Sequence, residues 1–147
     1  MIRLPNRHTR ATLVVLMVTL LWCSPSAVVV AQSRQRAPVE EFSFLLKDLK
    51  LDHQGEVNNL NITIRLRYKV NVSDSEYPDF RAVAKDIETL LSNYPNKTDY
   101  WEIVNKKITL MVLTKYSAIV KVMSEIQVSP SAQVPYQRSS TVTRERT

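Results

Sequence analysis

The whole chain contains one glycine, Gly55, and one cysteine, Cys23. A single glycine leaves no glycine-rich loop to cradle a phosphate. A single cysteine excludes a Cys-x-x-Cys redox pair, a thiolate zinc site and an intrachain disulfide. At 147 residues the chain suffices for one modest domain, but not for separate cofactor and substrate halves. What remains is ordinary in composition: 44% hydrophobic and 23% charged residues, far from disordered or collagen-like extremes, so a packed core is expected.

The first thirty-one residues read as a targeting segment. Arg3, Arg7 and Arg10 form a basic flank without an acid, Ala11 to Trp22 is a nearly unbroken apolar run, and Val29-Val30-Ala31 ends the stretch with a small residue. These are the three parts of a secretory signal, with cleavage expected after Ala31. The alternative is an uncleaved anchor: Ala11 to Ala31 is about long enough to span a bilayer, interrupted only by Ser24-Pro25-Ser26. Cleavage would leave 116 residues without cysteine and lower the net charge from +6 to +3. A secreted or periplasmic protein that uses no disulfide is the expectation. Membrane contact would then come only through an uncleaved signal, and no nucleic-acid partner is expected. Asn61-Ile-Thr, Asn71-Val-Ser and Asn96-Lys-Thr match the glycosylation triplet.

Residues 32–39 are polar and aperiodic, a disordered lead-in to a single domain expected over 40–143. Phe42, Phe44 and Leu46 alternate, then the parity slips to Leu49 and Leu51, as a bulge near Lys47-Asp48 would produce in one bent strand. His53-Gln54-Gly55-Glu56 supplies a turn. From Leu60 to Ser73 apolar residues (Leu60, Ile62, Ile64, Leu66, Tyr68, Val70, Val72) alternate strictly with polar ones, predicting a long antiparallel strand with one buried face. Pro78 opens a helical pattern through Phe80, Val83, Ala84, Ile87, Leu90 and Leu91, closed by Pro95. A second helix starts with Asp99 as N-cap and Glu102 three residues on, and runs to about Tyr116. Ala118 to Val128 alternates as a third strand, Val134 to Val142 is a weaker fourth, and 144–147 is tail. The class is therefore α+β: an antiparallel four-stranded sheet with two helices on one face, in the order ββααββ.

This order, with Tyr77-Pro78-Asp79-Phe80, Trp101-Glu102-Ile103-Val104, Ser117 to Val122 and Ile126-Gln127-Val128-Ser129-Pro130 at its joints, resembles the tunnelling fold (T-fold), most of all its dihydroneopterin aldolase type. The resemblance implies sheets joined edge to edge into a homo-oligomeric barrel that binds purine- or pterin-like rings at subunit interfaces. It implies that Glu102, beside Trp101, grips the guanidine-like edge of such a ring, since a carboxylate accepts two parallel N–H bonds. A capping box with Asp99 explains Glu102 without any ligand, and the two roles can coexist. The aldolase pattern has a lysine where this chain has Ser129, and serine carries no amine to shuttle a proton, so a non-enzymatic protein without cofactor is expected.

Two further groupings carry alternatives. His53 with Glu56 falls short of a three-ligand metal site and reads as a solvated turn; no metal is expected. Arg65, Arg67 and Lys69 on the second strand, with Lys121 on the third, form a basic strand face for an anionic partner, or a solvated sheet face. The functional expectation is an exported protein acting by self-assembly. Its alternatives are a pterin- or purine-ring binder and an envelope adaptor.

Overall fold

A computed structural model describes residues 37–147. The expected targeting segment 1–31, its expected cleavage point and most of the expected lead-in 32–39 lie outside the described residues. The elements are β1 (Glu41–His53), β2 (Glu56–Tyr68), a short 3-10 turn (Asp74–Glu76), α1 (Phe80–Ser92), α2 (Trp101–Lys115), β3 (Ile119–Val128) and β4 (Arg138–Glu145). The strands form one sheet in the order β1-β2-β3-β4, every neighbour antiparallel. Both helices pack on one face, so the α+β class and the order ββααββ stand as read from the sequence.

The core follows from the alternation in β2. Leu60, Ile62, Ile64 and Leu66 are fully buried and meet Val83 and Ile87 of α1, Val104, Ile108 and Val112 of α2, and Val122 and Ile126 of β3 in one cluster. Period two on the strand and spacings of three and four on the helices bring these side chains to a single layer. The parity slip in β1 is a bulge: pairing jumps from Leu46↔Ile62 to Leu49↔Leu60, leaving one extra residue on β1. Asp48 takes a positive φ of 55° there. Its backbone N–H donates to Asn61 Oδ1 at 3.1 Å, so a side chain of β2 replaces the missing ladder bond. Gln54 (φ 56°) and Gly55 (φ 82°) make the two-residue turn between β1 and β2, the doubly positive form that suits strand twist.

Several expected boundaries shift. The second strand ends at Tyr68 rather than Ser73, because β3 begins only at Ile119 and offers no partner beyond the Lys69 N–H···O=C Ala118 bond of 2.9 Å. Alternation continues in the sequence, but Val70 is exposed and the chain turns at Asn71 (φ 59°). The fourth strand lies at Arg138–Glu145, four residues later than Val134–Val142, after a turn in which Ser131 N–H donates to Val134 O at 2.9 Å. Its helix-facing positions are Arg138, Ser140, Val142 and Arg144, which explains the weak hydrophobic signal. The stretch 144–147 is not simply tail: Arg144 and Glu145 belong to β4, and the Arg146 guanidinium donates to the carbonyls of Leu113 and Tyr116 at the end of α2 and of Ile119 at the start of β3.

The start of α2 also differs. Tyr100 is its N-cap residue and makes no side-chain capping bond, so the Asp99–Glu102 capping box does not form. Asp99 is committed backwards, its carboxylate accepting from Tyr94 Oη at 2.6 Å and Asn96 Nδ2 at 2.5 Å.

Candidate functional site

The turn joining β1 to β2 sits against the loop between the helices, and this contact sets the site. His53 is not a solvated turn residue; it is 1% exposed. Its Nε2 lies 2.8 Å from the Asp99 carbonyl, which can only accept, so this nitrogen carries the proton. Gln54 Nε2 donates to the same oxygen at 3.0 Å, and its backbone N–H donates to Lys97 O at 2.6 Å. The Trp101 ring packs on His53 with centroids 4.6 Å apart. The polar turn thereby fixes where α2 begins and which way its first turn faces.

Beside it opens a cleft of about 490 Å³ lined by Gln54, Tyr100, Trp101, Glu102, Val128, Arg138 and Ser139. Glu102 stands in the first turn of α2, exposed, where the helix dipole favours a carboxylate. Among the described residues neither a hydrogen bond nor an ion pair engages it. Trp101 is buried at its side, and its Nε1–H has no acceptor among the described residues. Arg138 enters from the start of β4, placed opposite Val128 by the β3–β4 register. Its Nη2 lies 3.3 Å from Asn58 Oδ1 and 3.5 Å from Glu56 Oε1, while Nε has no partner among the described residues.

The cleft can therefore offer a free carboxylate acceptor, a guanidinium and an apolar wall within one concavity. It carries no amine to shuttle a proton, because a guanidinium gives up none at neutral pH. Ser129 directly follows the last residue of β3, and its backbone N–H donates to Asn59 O at 2.9 Å. Among the described residues, no group of three or more His, Cys, Asp or Glu side chains is gathered for a metal.

Glu102 and Trp101, named from the sequence as ring-binding residues, both line the cleft, together with Arg138, Gln54 and Tyr100, which the sequence did not single out for a ligand. Arg138 is 80 residues from Asn58 along the chain, and no local pattern carries so remote a pairing. Of the four cations read as a basic strand face, Arg65, Arg67 and Lys121 share the sheet face away from the helices, and Arg67 pairs directly with Lys121 across the strands. Each of those two also meets an acid from an edge strand: Arg67 reaches Glu41 at 2.8 Å, and Lys121 reaches Glu145 at 3.5 Å. Lys69 lies past the end of β2 and pairs with Glu76. Arg65 is exposed and meets no acid among the described residues.

An antiparallel sheet with two helices on one face, inserted between its two central strands, defines the general class. Within that class the fold is similar to that of solved proteins described as dihydroneopterin aldolases, in agreement with the resemblance read from the residues. No protein-family profile matches the chain, and no curated protein sequence does. Solved structures do match. A protein from Vibrio cholerae described as a dihydroneopterin aldolase (FolB) superposes with a TM-score of 0.54 at 9% identity, over 71% of this chain and 98% of the other. A dihydroneopterin aldolase from Burkholderia thailendensis, bound to guanine, superposes with a TM-score of 0.51 at 13% identity, over 73% and 93%. At such identities the likeness is one of fold.

Proposed function

We propose that this chain is an exported, homo-oligomeric tunnelling-fold protein that holds a planar purine- or pterin-like ring at the start of α2 without performing aldolase chemistry. One observation carries the reading: the Glu102 carboxylate stands at the mouth of a cleft, unengaged among the described residues, while the capping role that could have occupied it goes to no side chain. A ring with a guanidine-like edge offers two parallel N–H groups to that carboxylate, and the buried Trp101 and Val128 provide apolar flanks. The solved Burkholderia protein holds guanine, a ring with such an edge. Ser129 in place of the expected lysine, and Arg138 as the only cation lining the cleft among the described residues, argue for binding rather than proton transfer.

Calorimetric titration of the full chain with guanine and with pterins tests this. Saturable binding is expected, weakened at least tenfold in Glu102→Ala, as loss of charge-assisted bonds of about 1.5–3 kcal/mol requires. Equal heats for the two proteins would discard it. Export has its own measurement: the first residue of the chain recovered from its host should be Gln32.

A further inference from the structure

We propose a second ligand site, at the open end of β1, that takes a quaternary ammonium group. Residues from three places meet there: Phe42 at the start of β1, Tyr68 at the end of β2, and Tyr77 with Phe80 at the entry to α1. They line a cavity of about 580 Å³ together with Glu40 and Glu41. The Phe42 and Phe80 rings are 5.3 Å apart and tilted, and Tyr68 and Tyr77 stand edge to face at 5.0 Å. Phe42, Tyr77 and Phe80 each leave more than a third of their surface open to solvent (38%, 38% and 44%), so their faces are accessible.

Aromatic side chains left in water lose the burial that would ordinarily hold them, and four of them converging on one cavity differ from scattered exposed residues. Ring faces carry negative charge density and attract cations. Glu40 adds a full charge of the same sign. Glu41 also meets Arg67, but Glu40 faces no cation among the described residues, and Asp74 lies close enough to contribute to the field at Tyr77.

The class of cation follows from the hydrogen bonds. A primary ammonium needs acceptors for three N–H groups. Here the Glu40 carboxylate accepts from the Tyr77 hydroxyl through one oxygen, while the Glu41 carboxylate accepts from Arg67 on the opposite face of the sheet. That bond to Glu40, with weaker contributions, raises the Tyr77 phenol to about 12, so the hydroxyl stays a neutral donor. What remains is mostly π surface with the apolar Val39 and Pro78 and one carboxylate, a lining that suits a cation without N–H groups better than one that must satisfy three. The site is built from residues other than those of the Glu102 cleft and stands independently of it.

The test is calorimetric titration of the full chain with choline and with its uncharged isostere, in which carbon replaces the ammonium nitrogen. Saturable choline binding is expected, with the isostere roughly tenfold weaker. Phe80→Ala and Glu40→Gln should each weaken choline several-fold, with the helical and sheet content by circular dichroism unchanged, while Glu102→Ala leaves it unaltered. Equal binding of the isostere, or no effect of either variant, would overturn the assignment. If the wild type gives no choline heat and Phe80→Ala converts an oligomer to a smaller species, the occupant is a second copy of the chain and the ammonium assignment falls.

Discussion

Gly55 shows how one residue can be required for its backbone alone. At φ 82° it occupies a region that L side chains rarely adopt, yet a Cβ built there would meet nothing within 4 Å. Gly55→Ala should therefore lower stability by about 1 kcal/mol through backbone strain without a clash, and Gly55→Asn by less, as read from urea denaturation. Asp86 illustrates a different residue-level effect. Lys115 Nζ at 2.7 Å and Tyr116 Oη at 2.5 Å both donate to its carboxylate, holding it below its ordinary value of 3.8. The same contact and burial push the Tyr116 phenol up. A depressed carboxylate stabilises the fold above the unfolded value, and that contribution fades as pH falls through the lower folded one. Stability measured across this acid range should drop less steeply in Asp86→Asn than in the wild type.

At the scale of elements, α2 is anchored by polar contacts that no hydrophobic pattern announces. Asn105 is fully buried, and its Nδ2 donates to Ser124 O at 3.0 Å and Ser140 O at 2.8 Å, tying the helix to β3 and β4. At the other end the Arg146 guanidinium takes the last carbonyls of the helix, where a cation also complements the dipole. Arg146→Ala should cost about 1–2 kcal/mol and speed amide exchange in the last turn of α2 more than in its middle. Strand and helix types, the β1 bulge and the hairpin turn were legible from residue spacing. The N-cap of α2 was not: Asp99-x-x-Glu102 fits a capping box locally, but Tyr94, Asn96 and His53 compete for Asp99 and win.

For the whole molecule, the question is what closes the sheet. The outer edges of β1 and β4 have no strand partner among the described residues, and exposed apolar groups such as Leu45 flank the β1 edge. An unpaired edge of this length invites pairing with another chain. Light scattering on the full chain should report a species several times the 16.9 kDa of one chain; a monomer at all concentrations would remove the assembly part of the proposal. The sheet face away from the helices, read as basic from β2 and β3 alone, carries acids on both flanks once the four strands are laid side by side. The row Glu41, Arg67, Lys121, Glu145 crosses the sheet with both signs.

By itself the sequence determined the α+β class, the element order, the buried face of β2 and the place of the bulge. These depend on the spacing of neighbours within one element, where side-chain direction follows from local backbone geometry. Only the tertiary structure decided the fourth strand's position, the partners of the strand-face cations and the meeting of Arg138 with Asn58 and Glu56. Those depend on register between segments far apart in the chain, and a polar side chain's partner is chosen by whatever that register brings within reach.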